Sequence, residues 1–345
     1  MDLRRQIGSL FIIGFTGTTF SREDLVCRNI VEHGLGGVIL FSRCLHNPAL
    51  AGNITSADQL TSLTESLQKL TGSTLLIGVD QEGGKVQRLT ADNGFYSTKS
   101  AAELGIDENR ELTRQAARRT AALLDQCGIN LNFAPVVDLN INPENPVIGK
   151  IGRSFSADQH LVMKHAAVWI QEHRKQNVLS CVKHFPGHGS SAGDSHKGFV
   201  DISASWLEKE LTPYRGLIAD DLVDLVMTGH LFNSNLDPDF PATLSKNTIT
   251  NLLRGELGYN GVVVSDDMQM RAITDHYPFS EAICRSLAAG VDILVFGNNL
   301  DYNPDICGNA IDAVMAGLKQ GVVSEERLFS AITKVANLKK NLDKA

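Results

Sequence analysis

The chain has 345 residues and carries 32 lysines and arginines against 39 aspartates and glutamates, a formal net charge of −7. This length suits one large domain or two ordinary ones, and the acidic balance argues against a dedicated nucleic-acid binder, which needs basic surplus to neutralise phosphates. The six cysteines, at positions 27, 44, 127, 181, 284 and 307, are widely spaced and form no Cys-x-x-Cys pair, so they read as reduced thiols of a cytosolic protein and not as a disulfide framework or zinc knuckle.

At the N-terminus, Arg4-Arg5 followed by the apolar run from Ile7 to Ile13 superficially resembles a signal peptide. The run is short and no Ala-x-Ala-like site follows it, so a cytoplasmic location is the expectation. No stretch approaches the roughly 20 apolar residues a membrane helix needs.

Eight short apolar runs then recur. They are Ser9–Phe15, Gly37–Phe41, Thr74–Asp80, Asn130–Asp138, Leu179–His184, Asp224–His230, Gly261–Asp267 and Asp292–Gly297. Most are followed by a helical pattern. Asn109 to Gln126 has good helix formers and stops before Gly128. Asp158 to Gln176 is similar, and Pro278 to Ala289 precedes Gly290. The last helix has Ser324 as a cap, acidic residues at its start and Lys339-Lys340 at its end, as the helix dipole favours.

Strands that alternate with helices pair in parallel. Eight largely apolar strands fit a (β/α)₈ TIM-type barrel better than an open doubly wound sheet. Gly83-Gly84 forms no dinucleotide fingerprint, which weakens the open sheet further. No linker, low-complexity tract or repeat divides the chain, so residues 1–345 are expected to form a single barrel domain.

Ionisable residues gather at the C-terminal ends of five of these runs: Asp80, Asp138, the pair Lys183-His184, His230 and Asp266. In such barrels that end carries the chemistry. Burying these groups would be costly unless they converge on a polar pocket.

The densest stretch is Lys183-His-Phe-Pro-Gly-His-Gly-Ser-Ser-Ala-Gly-Asp-Ser-His196. Within it, Asp194 and His196 are two residues apart, which lets a carboxylate orient an imidazole for acid/base work. A polar surface loop with scattered histidines is the bland alternative. Metal binding by His184, His188, Asp194 and His196 is a third reading, but the Gly-rich spacing offers no rigid ligand geometry.

At Ser265-Asp266-Asp267, alternation along a strand allows at most one carboxylate into the barrel mouth, leaving the other to cap the next helix. Asp266 is either a nucleophile toward a sugar carbon or, with Asp267, a helix-start residue. Asp80 and Arg88 read either as a ligand-binding pair or as a structural ion pair across the Gly83-Gly84 turn. Arg153, in an irregular stretch, carries little signal alone, and His230 is either a ligand contact or a satisfied buried histidine.

Together these motifs resemble the bacterial β-N-acetylhexosaminidases of glycoside hydrolase family 3. The resemblance rests on Gly78-Val-Asp-Gln-Glu-Gly-Gly, Asn132-Phe-Ala-Pro-Val-Val-Asp, Lys183-His-Phe-Pro-Gly-His-Gly with Asp194-Ser-His196, and Val264-Ser-Asp-Asp-Met. It covers nearly the whole chain. It implies a retaining exo-β-N-acetylglucosaminidase, with Asp266 as nucleophile, His196 as general acid/base tuned by Asp194, and Asp80, Arg88, Arg153, Lys183 and His184 binding the sugar. The implied substrate is a muropeptide sugar of cell-wall recycling, N-acetylglucosamine linked to anhydro-muramic acid. No cofactor or metal, no nucleic acid or membrane partner, and a monomeric state are expected. The Ser-Ser-Ala-Gly segment before Asp194 lacks acidic residues often present in relatives, and Met268-Gln-Met-Arg-Ala-Ile departs from the usual pattern. The alternatives are a phosphorylase using the same residues and a metal-dependent barrel hydrolase.

Overall fold

The computed structural model describes residues 2–106, 109–195 and 197–342. Eight parallel strands close into a barrel in sequence order: β1 (Phe11–Gly14), β2 (Gly37–Ile39), β3 (Leu76–Val79), β4 (Leu131–Asn132), β5 (Leu179–Phe185), β6 (Leu225–Thr228), β7 (Val262–Asp267) and β8 (Ile293–Phe296). Closure comes from β1 pairing with β8, with Phe11 opposite Leu294 and Ile13 opposite Phe296. All eight predicted runs form strands of this barrel. The signal-like run contributes β1, buried along its length, after a short helix at Leu3–Gly8.

Several strands are shorter than their apolar runs, because side chains take over from the backbone ladder at their ends. In β4 the Ala134-Pro135 step supplies no proline N–H for pairing. Asn132 continues the pairing instead: its Oδ1 accepts from the Gln81 N–H at 3.0 Å and its Nδ2 donates to the Gln81 carbonyl at 3.1 Å. This locks the segment after β3 to the end of β4 and so fixes where Asp80 emerges.

The helices follow their sequence signals. Asp158 caps Gln159–Arg174, accepting from the N–H groups of His160 and Leu161 at 2.7 and 3.0 Å. Ser324 caps Glu325–Leu342 through the Arg327 N–H at 3.1 Å. The helix at Phe279–Ala289 stops at Gly290, whose φ of 122° suits glycine. At the N-terminal end of β8 the buried carboxylate of Asp292 accepts from Arg254 at 2.7 Å, Arg327 at 2.6 Å and the Val263 N–H at 2.9 Å. That cluster closes the base of the barrel and lies away from the end that carries the ionisable loops. Among the described residues, no helix is long and apolar enough to cross a membrane.

Candidate active site

At the C-terminal mouth, β3 and β5 deliver a buried ion network. Lys183 Nζ lies 2.9 Å from Asp80 Oδ1 and 2.7 Å from Glu82 Oε1. Arg88 reaches the other oxygen of Asp80 at 3.1 Å. Arg153 grips Glu82 with two parallel contacts of 2.8 Å, a bidentate geometry suited to a guanidinium. Burial alone would push the Asp80 carboxyl up, but Lys183 and Arg88 overcome it and hold the group well below the usual carboxylate range. Glu82 behaves the same way, with Arg153 and Lys183 as the opposing cations. Lys183 is itself 2% exposed; burial would favour its neutral form, but Asp80 and Glu82 raise its pKa and keep it charged.

Beside this network, Asp138 organises the histidine-rich segment. Its Oδ1 accepts from the backbone N–H groups of His184 and His188 at 3.1 and 2.8 Å. Its Oδ2 accepts from His184 Nδ1 at 2.7 Å. A carboxylate in this state only accepts, so Nδ1 carries the proton. His184 Nε2 then accepts from Arg153 at 3.2 Å. His188 is buried, with Nδ1 at 2.8 Å from the Ser191 hydroxyl. Burial and the neighbouring His184 pull the His188 imidazole down to about 4.

The strand ends that carry these groups are irregular. The β5–β6 pairing shifts register between Val182 and Phe185, and the β7–β8 pairing shifts between Val264 and Asp267. Such shifts re-aim side chains next to functional sites. They correct one expectation. Strict alternation allowed at most one of Asp266 and Asp267 to face the mouth, yet both line the same cavity. Asp267 is not the cap of the next helix either. Its Oδ1 accepts from the N–H groups of Gln269 at 3.0 Å and Gly297 at 2.9 Å, which ties the end of β7 to the end of β8. Asp266 accepts from the Asp267 N–H at 2.8 Å.

This cavity has a volume of about 410 Å³, and Asp80, Arg88, Phe133, Met227 and Asp266 are among its walls. Asp80 and Arg88 form an ion pair and also line the cavity. The other three members of the expected sugar-binding set stand differently. Lys183 and His184 are buried, and Lys183 reaches the cavity through Asp80. Arg153 directs four of its five N–H groups to Glu82, the Val147 carbonyl and His184. Its guanidinium is thus largely committed to protein partners. His230 is buried between the Thr243 hydroxyl at 2.8 Å and the Asp267 carbonyl at 2.9 Å, which favours the satisfied-histidine reading. Since a carbonyl only accepts, Nε2 carries its proton.

Asp194 lies 3.7 Å from Lys197. Its expected partner, His196, lies outside the described residues. Sequence reasoning gave Glu82 no role, and left Asp138 out of the site proper. The signal for Glu82 was the alternation Asp80-x-Glu82 beyond a strand, with Lys183 and Arg153 in need of counter-charge.

The pattern of the Glycosyl hydrolase family 3 N terminal domain matches residues 2–338. The chain is 33% identical over 339 residues to beta-hexosaminidase A of Pseudoalteromonas piscicida, covering 91% of this chain and 54% of that protein. It is 36% identical over 305 residues to a beta-hexosaminidase of Alkalilimnicola ehrlichii, covering 86% and 82%. It superposes on the structure of a glycoside hydrolase family 3 beta-N-acetylglucosaminidase from Paenibacillus sp. str. FPU-7 with a TM-score of 0.90 at 36% identity, covering 99% of this chain and 63% of that one. The chain thus spans about half the length of the first of these relatives.

Proposed function

The chain belongs to glycoside hydrolase family 3, and from that membership and the geometry of its barrel mouth we propose that it is a retaining exo-β-N-acetylglucosaminidase. One observation carries the reading: Asp266 from β7 shares a cavity of about 410 Å³ with Asp80 and Arg88 from the end of β3. On this reading Asp266 is the nucleophile and Asp80 with Arg88 the hydroxyl-binding pair, and the volume lies in the range of small-molecule sites.

In the proposed reaction, Asp80 accepts from sugar hydroxyls while Arg88 donates. Phe133 and Met227 give the apolar C–H face of the ring a surface to pack against. Lys183, anchored by Glu82, keeps Asp80 charged and in place. Asp266 attacks the anomeric carbon, and the bond from that carbon to the leaving oxygen breaks. His196 gives its proton to that oxygen, with Asp194 stabilising the imidazolium. His196 then takes a proton from water, whose oxygen displaces Asp266 and restores the original anomeric configuration. A histidine here replaces the second carboxylate used by most retaining glycosidases. The natural substrate we propose is a muropeptide sugar, N-acetylglucosamine linked to an anhydro-muramic acid unit, as the resemblance of the Lys183–His196 segment implies.

The test is hydrolysis of an aryl N-acetyl-β-glucosaminide, with the aryl β-glucoside as control and EDTA in a parallel reaction. Turnover of the N-acetyl substrate alone, insensitive to EDTA, is the expected outcome. A failure to turn over either glycoside would sink the proposal, and sensitivity to EDTA would redirect it to metal-assisted hydrolysis.

A further inference from the structure

The rim of the cavity differs in chemistry from its floor. The floor includes the strand-end carboxylates Asp80 and Asp266. The rim comes from the loops that follow β2, β3 and β8, which bring Arg43, Lys85, Leu45 and Leu300 to the same cavity. Arg88 is already paired with Asp80. Arg43 and Lys85 are exposed, and among the described residues neither forms an ion pair. Across the whole cavity Arg43, Lys85 and Arg88 are matched by Asp80, Asp266 and Asp267, so the two uncommitted cations make its rim, and only its rim, positive.

Both cations stand on fixed backbone. The Arg43 carbonyl accepts from Asn299 Nδ2 at 3.2 Å, and Arg43 bridges to Ala51. Lys85 sits at the tip of a tight turn in which the Gly83 N–H donates to the Val86 carbonyl at 3.1 Å and the Val86 N–H returns to the Gly83 carbonyl at 3.2 Å. Gly83 has a φ of 101°, and a Cβ there would meet the Lys99 carbonyl oxygen at 2.2 Å. The glycine is therefore required, and the turn it permits presents Lys85 to the cavity. A charged side chain rooted in ordered backbone loses less freedom on meeting a ligand than one on a mobile loop.

We infer that Arg43 and Lys85 form an aglycone subsite that selects substrates carrying a carboxylate beyond the scissile bond. This rests on the glycosidase reading, in which Asp266 attacks from the floor and the leaving group lies toward the rim. Arginine supplies a planar fork that matches a carboxylate, and lysine adds a point charge. Neutral sugar hydroxyls would not need either. A monoanion suits the place better than a phosphate dianion, because Asp80 and Asp266 repel the second charge. Leu45 and Leu300, 52% and 60% exposed, give the same leaving group an apolar contact.

The experiment compares aryl N-acetyl-β-glucosaminides whose ring bears a para carboxylate, a para carboxylate extended through a glycyl amide, or the para methyl ester. The wild-type protein is measured beside Arg43→Gln, Lys85→Gln, the double variant and the charge-preserving Arg43→Lys. Each kcat/KM is divided by that for the ester, which absorbs leaving-group differences and any effect on folding. The expected result is a fall in the carboxylate-to-ester ratio of roughly threefold to fivefold per neutralised cation and about tenfold in the double variant, the size of exposed charge pairs. Arg43→Lys keeps the charge without the fork, so its ratio falls between those of the wild-type protein and Arg43→Gln. In wild-type protein the ratio also falls with added salt, a measurement that needs no variant. A larger effect on the direct carboxylate places the anion on the first leaving-group unit, and one on the glycyl arm places it further out. A ratio unchanged by both the substitutions and salt overturns the subsite alone. Absence of turnover with all three glycosides overturns the glycosidase reading and the subsite with it.

Discussion

Glu82 holds Lys183 and Arg153 at once, with Oε1 2.7 Å from Lys183 Nζ and both oxygens 2.8 Å from the Arg153 guanidinium. The network therefore sets three cations, Lys183, Arg88 and Arg153, against the carboxylates of Asp80 and Glu82, a balance of 3 − 2 = +1. Removing Glu82 would leave two buried cations with Asp80 as their remaining carboxylate in this network. The prediction for Glu82→Gln is a loss of about 3–5 kcal/mol of stability, the cost of breaking a buried pair from one side, read from urea unfolding. KM for the aryl N-acetyl substrate should rise as Lys183 and Asp80 shift. An unchanged urea midpoint would show that the network is not held by Glu82.

Asp138 tests the second support. Replacing it with Asn keeps the shape but puts an amide N–H₂ where the carboxylate accepts from His184 and His188. At least one buried donor then faces another donor. The expected cost is about 1–3 kcal/mol, the penalty of an unmet buried polar group, with a loss of kcat/KM as His184 loses the contact that sets its tautomer. If Asp138→Asn matches wild type in both urea unfolding and turnover, the carboxylate is not needed as an acceptor there.

Much of this was legible in the chain. All eight strands fall on the apolar runs, with β5 passing the end of its run by one residue, because the strands are largely buried on both faces and must be mostly apolar. Asp80, Lys183 and Asp266 were legible for the opposite reason: a charge that ends such a run needs a polar pocket. What the sequence concealed depends on register and on pairing across the barrel. Asp267 joins Asp266 in the cavity because β7 loses register with β8. Nothing local in the Val262–Asp267 sequence marks that shift. Glu82 pairs with Arg153, 71 positions away, and Arg153 stands in an irregular stretch whose position no periodicity predicts.

The proposed division of labour between Asp266 and His196 gives a contrast between substrates. Asp266→Ala should remove nearly all turnover of every substrate, since no other group supplies the covalent step. His196→Ala should cost roughly 10²–10⁴-fold on a natural glycoside, the usual range for general acid/base help, and much less on a nitrophenyl glycoside whose leaving group needs little protonation. Product analysis in phosphate buffer completes the measurement, because a sugar phosphate would identify a phosphorylase. Equal losses for His196→Ala on both substrate types would remove the histidine from the acid role.

Glu210 gives a prediction in pH. It is buried beneath the segment carrying His184 and His188, so close that a Cβ on Gly187 would stand 2.7 Å from its own Cβ. Burial pushes its carboxyl up to about 7 from an ordinary 4.5, against the pull of the Ser190 hydroxyl and the Leu207 N–H. Between those two values the folded protein keeps a proton that the unfolded chain has released. Stability from this group is therefore greatest near pH 4.5 and falls as pH rises toward 7. The interval of 2.5 units corresponds to about 3 kcal/mol. Asp224, also raised by burial, acts in the same direction. His173 and His188, both pulled down to about 4 by burial, act oppositely, since the unfolded chain protonates them first as pH falls below 6.5. Asp80, Glu82 and Asp138 have depressed values, so their contribution is lost below the window, as pH falls under about 4. The wild-type profile thus mixes signs, and the difference between wild type and Glu210→Gln isolates one group. Urea unfolding of both proteins from pH 4.5 to 7.5 should show that difference decline by about 3 kcal/mol across the window. A difference independent of pH would mean that Glu210 is ionised throughout and that water or a neighbour satisfies its charge.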